Sequence, residues 1–595
     1  MRPGSGSRRP RKEPDAIVRV FKAVPSAWIH AVQRAAPPAV RTPQLMPWRL
    51  GWCDCDTPSV PTQPAGAQGI ETMRSTRLIR RYIIAIVLLT LLVGTLAGCA
   101  VNPVTGKNEI TLVSEAQEMA IGLKIYGPYR QAKGGDYVLE PALTAYVAAV
   151  GDRLARVSDR KLPYEFKVLN DSSPNAWALP GGKISINRGL LVELRSEAEL
   201  AAVLAHEIVH AAARHSAQSM ERGVFLQGAL VAAGVALGDS NYRDIGMMGA
   251  GVGAQLTSQK FSRDDESEAD LYGMRYMVRA GYDPSAAVQL QATFVRLAEA
   301  RQTNWLEGLF ASHPPSAERV AANRALVDQL GNPGGEIGEA RYQREIARLR
   351  RNKPAYEAYD EARKAFANKD LQTALRKVNL AIKIEPDEAV FYGLRGEIRA
   401  AQDDDKAALK DLDRAVTLNP EYYRPLLARG LIRDEVDDPR GAIRDLERSV
   451  ALLPTAEAYY GLGRAAQLSG KRDQAIGYFR TASSSQSSVG TLAQAELARL
   501  DLQDNPARYL KAALGLTSDG YLVVSVRNTA PLTVTGVRVV VGPQVGGGLR
   551  EQASYRVSRA LKAGQTAQFR TDLGPMNAAA ARRYAAVVSD ARLAD

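Results

Sequence analysis

The chain has 595 residues, which is too long for one hydrophobic core, so we expect several domains. Its composition, 46% hydrophobic and 24% charged residues, is typical of a globular protein. The net charge of +13 gives no reason to expect a nucleic-acid partner, because residues 1–98 contain 14 Lys and Arg against 5 Asp and Glu and so account for +9 of it.

The N-terminal part has the layout of a secretory signal. Met73 opens a basic stretch, an apolar run follows over residues 83–93, and the tetrapeptide Leu-Ala-Gly-Cys ends at Cys99. This tetrapeptide resembles the bacterial lipobox, whose cysteine is lipidated and becomes the first residue of the mature protein. A membrane-spanning anchor is the alternative, but the apolar run is shorter than the about 20 residues that cross a bilayer. We therefore predict a signal peptide over residues 73–98, a lipid on Cys99, and a mis-started or disordered leader over residues 1–72.

Four further regions differ in their sequence patterns. Residues 99–335 mix helical periods with short strands and include four of the five histidines. Residues 336–353 predict a charged connecting helix, and residues 354–503 repeat themselves. Over residues 505–595, alternating β-branched residues predict a small all-β domain that resembles a β-sandwich.

The repeated region has a fixed period. Pro386, Pro420 and Pro454 follow one another at 34-residue intervals, and alanines from Ala374 onward keep the same step. A generic helical bundle, the alternative, would not keep such a period. The pattern therefore predicts tetratricopeptide repeats, about four helix pairs stacked into an α-solenoid with a concave binding surface.

Histidines are concentrated in the segment ELAAVLAHEIVHAAARHSAQSM, residues 199–220. His206 and His210 are four residues apart, so in a helix they project from one face and can share one metal ion, with Glu207 beside them as a general base. A chance match on an alanine-rich helix is the alternative. His215 is nine residues from His206, and helical geometry predicts that it lies on the opposite side as a packing or surface residue.

The segment FSRDDESEADLYG, residues 261–273, offers a third ligand. Zinc in catalytic sites takes three protein ligands and keeps a fourth position for water. Glu266 and Asp270 are an i, i+4 pair, so one carboxylate could bind the metal while the other orients a ligand histidine. Spacing alone leaves Glu268 and Asp265 as rivals, and a solvated acidic helix face is the non-functional interpretation.

These motifs, with NPVTGKNEITLVSE after Cys99 and NAWALPGGKISINRGLL before the histidine helix, resemble the zinc metallopeptidases of clan MA, family forty-eight. The resemblance covers residues 102 to about 330 and extends to the architecture of periplasmic lipoprotein members with C-terminal tetratricopeptide repeats. It implies an α+β, mostly helical gluzincin-type domain with one Zn²⁺ per chain. It further implies that Glu207 is catalytic and that Asp270 orients a ligand histidine. The implied zinc ligands are His206, His210 and Glu266.

Two further segments bear on catalysis. In FASHPPSAERV, His313 either assists at the oxyanion or occupies the open zinc position in a resting state, and Arg319 is a further candidate for the site. A loop histidine held by two prolines is the alternative. The segment AWALPGGKISIN predicts two strands about a Pro-Gly-Gly turn, whose edge would bind an extended peptide by strand addition. An ordinary hairpin with a covered edge is the alternative there.

One departure from the family concerns its membrane-embedded members, which have several spanning helices. The longest apolar run after the signal, residues 224–238, has 15 residues and is too short to span. We predict that it forms, with residues 244–256, a glycine-rich hairpin beside the site that could act as a lid.

The sequence therefore predicts a zinc-dependent endopeptidase of the bacterial cell envelope that degrades misfolded or unassembled envelope proteins. Its repeats would dock substrate or the outer-membrane assembly machinery. The alternative is a repeat-based chaperone or assembly factor with a latent or structural zinc site, but a structural site needs no base such as Glu207. Ala100 is not the aspartate associated with inner-membrane retention, so the expected location is the periplasm, with a lipid anchor in the outer membrane.

Overall fold

The computed structural model describes residues 98–111, 113–219, 261–300 and 313–594. The predicted leader, the predicted signal up to residue 97 and the predicted glycine-rich hairpin lie outside the described residues. Within the described ranges, no helix has both the length and the hydrophobicity needed to cross a membrane.

The first part of the chain combines strands and helices. Its strands are β1 (Gly98–Val101), β2 (Asn108–Thr111), β3 (Glu165–Leu169), β4 (Ala176–Leu179) and β5 (Lys183–Asn187). Its helices are α1 (Glu115–Ala132), α2 (Pro141–Ala155), α3 (Arg188–Leu191), α4 (Glu197–Ala212), α5 (Arg263–Arg279), α6 (Ser285–Ala300), α7 (Ala317–Gln329), α8 (Glu339–Glu345) and α9 (Ala347–Arg351). The predicted α+β, mostly helical class is confirmed for this part.

A three-stranded sheet in the order β3-β5-β4 lies beside helix α4. β3 runs parallel to β5, and β4 pairs with β5 in the antiparallel direction. The turn between β4 and β5 contains Gly181 and Gly182 at φ of 77° and 78°, a conformation that glycine adopts without strain. The predicted pair of strands about the Pro-Gly-Gly turn is confirmed, and β4 forms an edge of the sheet.

Helix α4 is the centre of this part of the molecule. It starts at the N-cap Ser196, whose side chain accepts a hydrogen bond from the backbone N–H of Glu199, and nearly all its residues are buried. Its C-terminal end is bonded by the buried Asn102, whose Nδ2 donates to the carbonyl of Ala213 over 3.1 Å. Asn102 lies in the turn between β1 and β2, so the Asn-Pro-Val-Thr-Gly motif contacts the C-terminal end of α4.

The segment 336–353, for which we predicted one connecting helix, is folded differently. It forms the two short helices α8 and α9, separated at Ile346. Tyr342, Ile346 and Leu349 are buried in the same core as α4, because their spacing places them on one side of the chain. This segment is therefore packed against the first part rather than spanning a gap.

The repeated region consists of helix pairs, as predicted. Its helices are α10 (Lys353–Ala367), α11 (Leu371–Ile384), α12 (Ala389–Ala401), α13 (Asp405–Leu418), α14 (Tyr423–Glu435), α15 (Pro439–Leu452), α16 (Ala456–Leu468), α17 (Arg472–Ala482) and α18 (Ser488–Asp501). The turns inside successive pairs share one left-handed residue: Lys369, Asp403 and Asp437 have φ of 63°, 62° and 65°, and Gly470 has 73°. The tetratricopeptide prediction is confirmed at four helix pairs and one further helix.

The last part is an all-β domain, as predicted. Its elements are α19 (Pro506–Tyr509), β6 (Leu510–Leu516), β7 (Leu522–Asn528), β8 (Val534–Val545), β9 (Gly548–Leu549), β10 (Ala553–Arg556), β11 (Thr566–Arg570), α20 (Ala578–Ala581) and β12 (Tyr584–Leu593). One antiparallel sheet has the order β10-β8-β12 and the other β11-β7-β6. Alternate residues of both sheets form one core, which gives a small two-layer structure.

Candidate metal centre

Helices α4 and α5 bring the predicted metal ligands together. α5 starts at the N-cap Ser262, which forms a capping box with Asp265. The two helices approach closely at Gly273, where a Cβ atom would lie 3.3 Å from the backbone nitrogen of His206. This close approach sets the side chains of α5 against those of α4.

The donor atoms of His206, His210 and Glu266 are arranged as a metal site requires. The Nε2 atoms of the two histidines are 3.1 Å apart, and the Glu266 oxygens lie 3.6 Å from His206 Nε2 and 3.5 Å from His210 Nε2. Donor atoms at about 2.0–2.1 Å from a tetrahedral zinc ion are about 3.3 Å apart. Two imidazoles and a carboxylate are also the donor types that zinc prefers, so these residues fit the implied zinc ion.

His313 completes a four-residue cluster. Its Nδ1 lies 3.3 Å from His206 Nε2 and 2.7 Å from a Glu266 oxygen, and the donor atoms of all four residues lie within 4.8 Å of one another. Its other ring nitrogen, Nε2, is 3.5 Å from a carboxyl oxygen of Glu207. His313 therefore lies where a fourth ligand would lie, between the metal donors and the predicted base.

Asp270 and Arg319 contact the cluster on the side of His206 that carries Nδ1. Asp270 Oδ1 is 3.1 Å from His206 Nδ1, the ring nitrogen that points away from the cluster. Arg319 donates to both oxygens of Asp270, over 3.0 and 2.8 Å, and its Nη1 lies 2.9 Å from Glu266. The guanidinium thus links the carboxylate at His206 Nδ1 to the carboxylate among the donors.

The two rivals of Glu266 have other partners. Glu268 accepts a hydrogen bond from Lys107 over 2.5 Å and lies 3.5 Å from His215 Nε2. Asp265 accepts a hydrogen bond from the backbone N–H of Ser262 over 2.9 Å. Neither side chain belongs to the four-residue cluster.

His215 is buried, but the prediction that it lies opposite His206 is wrong. Helix α4 ends at Ala212, and Arg214 has a φ of 64°, so the chain turns back instead of continuing the helical rotation. The Nδ1 atom of His215 comes within 2.9 Å of His210 Nδ1, on the side of His210 that faces away from the donors.

Burial and charge set the proton affinities of the cluster. Burial lowers the pKa of His210 well below its usual range, which leaves the ring neutral and able to bind a metal ion. Burial also opposes charging of His206, but the carboxylates of Asp270 and Glu266 raise its pKa to about 10. These carboxylates therefore stabilise a cation at His206, either a proton or a metal ion that replaces it.

Glu207 differs from the donors in its surroundings. Burial raises the pKa of its carboxyl group, and a raised pKa brings a general base closer to neutral pH. Its Oε2 atom is buried without a hydrogen-bond partner among the described residues. A buried oxygen left without a partner beside metal donors suits a group that handles protons of water or substrate.

Two contacts were missed by the sequence reasoning. The ring of Phe261 stacks on that of His210, with centroids 4.0 Å apart. The sequence makes Arg319 a candidate for catalysis, but its side chain contacts the carboxylates of Asp270 and Glu266 and the carbonyl of Pro314. No motif predicts either contact, because both depend on how separate segments pack.

Comparisons with known proteins agree with this geometry. Residues 141–327 match the family model described as peptidase family M48. The beta-barrel assembly-enhancing protease of Escherichia coli (strain K12) is 28% identical over 268 residues, which are 43% of this chain and 54% of that protein. The mitochondrial metalloendopeptidase OMA1 of Schizosaccharomyces pombe is 36% identical over 179 residues, 30% of this chain and 51% of that protein. The chain thus spans about half the length of these relatives.

Among solved structures, the first tetratricopeptide repeat domain of Spaghetti (RPAP3), bound to an HSP90 peptide, is 22% identical. The match covers 20% of this chain and 95% of that chain, with a TM-score of 0.20. A score this low supports no inference about function.

Proposed function

We propose that this chain, whose residues 141–327 form a metallopeptidase domain of peptidase family M48, is a zinc-dependent endopeptidase of the bacterial cell envelope. The observation that carries the proposal is the convergence of His206, His210 and Glu266 at zinc-site separations, with the carboxyl group of Glu207 beside them and outside the donor set. A site of purely structural zinc has no use for such a base.

The roles of the residues follow from their positions. His206, His210 and Glu266 would hold the ion, and Asp270 would orient His206 through its Nδ1 atom. Zinc, when bound, supplies Lewis-acid polarisation of a peptide carbonyl and makes water more acidic. Glu207 takes a proton from the attacking water and delivers it to the nitrogen of the leaving amine.

We assign to His313 a role in a resting state of the enzyme. Its Nδ1 atom lies among the donor atoms, at 3.3 Å from His206 Nε2, so it would occupy the position that water or substrate needs when a metal ion is bound. Its Nε2 atom lies 3.5 Å from Glu207 Oε1, so the same histidine also contacts the predicted base. Catalysis then requires the His313 loop to withdraw, after which the ring is free to assist at the oxyanion.

The substrate is an extended polypeptide, as in misfolded or unassembled envelope proteins. β4 is an edge strand next to α4, and Ala176 at its start lines the same cavity as His206 and Glu207. The edge is partly covered, because Ser216 Oγ donates to the carbonyl of Ala178 over 3.2 Å. Strand addition would therefore begin at the Ala176 end of β4.

The location and partners belong to the same proposal. The relative in Escherichia coli is named for beta-barrel assembly, which supports an envelope setting for this chain. We place it in the periplasm, with a lipid on Cys99 that anchors it in the outer membrane. The repeats dock substrate or the assembly machinery on their concave surface.

One observation favours a second candidate function. With His313 included, four protein donors surround one point, and zinc sites with four protein ligands are usually structural. In that case the chain is a chaperone or assembly factor whose zinc site is latent or structural.

The Glu207→Gln variant separates the two functions. The purified full chain should contain about one zinc per molecule and degrade casein, and a chelator should stop the degradation. Glu207→Gln should keep the zinc and lose at least about 10²-fold in rate, since a general base contributes that much. Cleavage unchanged in this variant would contradict the mechanism. Suppression of aggregation by both forms, without cleavage by either, would favour the chaperone.

A further inference from the structure

A cavity adjoins the candidate metal centre between helices α4, α5, α6 and α7. Its volume is about 560 Å³ including the open mouth, and His206, Glu207 and His313 form one of its walls. Because this space is open to solvent and shares a wall with the metal centre, a side chain of a substrate bound there can enter it.

The other walls of this cavity are mostly apolar. Three helices contribute them, and the larger apolar side chains among them are Val203, Met274, Met277, Leu290 and Phe294. All five are buried. Burial of an apolar side chain against such walls is favourable, whereas a charged tip would lose its hydration against them.

Gln291 is one of the polar residues in these walls, together with Asp270, Arg319 and Asn323. It lies on α6, lines the cavity and is only 9% exposed. Its Oε1 atom is buried without a hydrogen-bond partner in the part of the chain that the structure describes. A buried acceptor without a partner is destabilising, so an occupant that donates a hydrogen bond to it would be bound selectively.

We propose that this cavity binds the substrate side chain next to the scissile bond and selects an aromatic side chain with a hydrogen-bond donor at its tip, that is, tyrosine. The inference rests on the proposed protease function and adds a cleavage preference to it. A tyrosine ring satisfies the apolar walls, and its hydroxyl group donates to Gln291 Oε1. Phenylalanine fills the same walls but leaves the Gln291 oxygen without a partner. Lysine donates as well, but its charge must be desolvated.

The first test maps cleavage sites. The purified full chain digests unfolded casein, and the products are identified by mass spectrometry. Tyrosine should be enriched at one of the two positions that flank the cleaved bond. In a pair of peptides that differ only by Tyr or Phe at that position, kcat/KM should be about tenfold higher for Tyr.

Variants then assign the preference to one residue. Gln291→Met, which keeps size and helix preference but removes the amide, should bring the Tyr-to-Phe ratio of kcat/KM to about one. Gln291→Glu keeps an acceptor oxygen and should keep the preference. Gln289→Met, at an exposed position of the same helix, should change nothing. An unchanged Tyr-to-Phe ratio of kcat/KM in Gln291→Met would overturn the proposal. The absence of tyrosine enrichment at the cleavage sites of the wild type would also overturn it.

A binding measurement separates this inference from the protease function itself. In the inactive Glu207→Gln variant, the Tyr peptide should bind about tenfold more tightly than the Phe peptide, and Gln291→Met should remove the difference. Equal binding of the Tyr and Phe peptides would overturn the assignment of the cavity. Cleavage by the wild type would still support the protease function in that case. If the wild type shows no chelator-sensitive cleavage, the proposed function fails, and this inference fails with it.

Discussion

Glu266 and Glu268 lie two positions apart on α5, but their side chains have different partners. Glu266 is within 3.6 Å of the Nε2 atoms of both helix histidines, whereas Glu268 contacts Lys107 and His215. A metal ligand contributes directly to the affinity for the metal, and a carboxylate outside the cluster does not. This difference gives a matched pair of variants.

We expect Glu266→Ala to lose zinc and proteolysis together, with zinc affinity reduced by more than about 100-fold. Glu268→Ala should keep both within about twofold, because the Lys107 contact is at the surface. Zinc titration against a competing chelator measures the two affinities. An empty site in Glu268→Ala with a filled site in Glu266→Ala would show that the ligand assignment is wrong.

Asp270 should affect the metal through His206. Its carboxylate lies at the Nδ1 atom of His206 and is held by Arg319. Asp270→Asn keeps the size of the side chain but removes the charge, so zinc affinity or activity should fall by about 10- to 100-fold without abolishing the site. The same titration measures this effect, and a variant with unchanged affinity and activity would contradict the orienting role.

Local spacing predicted only part of this cluster. The i, i+4 rule was sufficient for His206 and His210, because both lie inside one helix. It could not choose between Glu266 and Glu268, and it misplaced His215, which follows the helix end at Ala212. His313 lies 107 residues from His206, so its contact depends on tertiary packing that no local pattern contains.

At the scale of elements, the spacing between α4 and α5 determines the geometry of the metal centre. Gly273 permits this spacing, since the three atoms nearest to a Cβ atom there would be backbone atoms of Ala205 and His206, at 3.3 to 3.5 Å. Backbone atoms in a buried helix cannot move aside individually. A side chain at Gly273 must therefore displace one helix from the other by a few tenths of an ångström.

Gly273→Ala should weaken zinc binding by about tenfold, because Glu266 moves with α5 while His206 and His210 stay on α4. The control is Gly477→Ala on α17, where nothing lies within 4 Å of the added atom. That variant should leave zinc binding unchanged and stabilise the fold by about 0.5–1 kcal/mol, because alanine favours the helix. Chelator titration and thermal unfolding give the two readouts. Unchanged zinc affinity in Gly273→Ala would argue against the dependence on helix spacing.

Elements with local signals were predictable from the sequence, and elements that depend on packing were not. The repeat helices follow a 34-residue period, and each turn is marked by its left-handed residue, such as Asp403 or Asp437. The segment 336–353 has helical residues throughout, but its chain breaks at Ile346 so that Tyr342 and Leu349 can both be buried. Only the surface against which it packs determines this break.

At the scale of the whole molecule, the first part of the chain and the first repeats share one core. We call this first part, which contains the match to the peptidase family model, the peptidase part. Buried residues from β3, α4, α10 and α12 belong to the same apolar cluster. A polar network crosses this contact: Glu388, at the start of α12, accepts hydrogen bonds from Asn170 over 3.1 Å and from Tyr356 over 2.6 Å. Arg188, directly after β5, donates to Asn170 over 2.7 Å. The repeats are thus fastened to the sheet whose edge strand lies beside the metal centre.

Sequence patterns could not predict this junction, because Asn170 and Glu388 are 218 residues apart and neither belongs to a motif. The repeat period describes the solenoid but not the surface that it contacts. A prediction from sequence alone therefore treats the two parts as independent domains joined by a connector. The shared core instead predicts that they unfold together.

The Glu388→Ala variant tests this coupling. It would leave the amide of Asn170 and the hydroxyl of Tyr356 buried without their acceptor, at about 1–3 kcal/mol for each group. We expect the wild-type peptidase part and first repeats to unfold in one calorimetric transition, and Glu388→Ala to lower its Tm by about 5 °C or more. Hydrogen exchange should increase in β3 and β5 as well as in α12, since the lost contacts join these elements.

Asp387→Ala, at the adjacent position with a 59% exposed side chain paired to Arg414, should change stability by no more than about 0.5 kcal/mol. Faster exchange confined to α12, with the strands unaffected, would mean that the repeats and the peptidase part are stabilised independently.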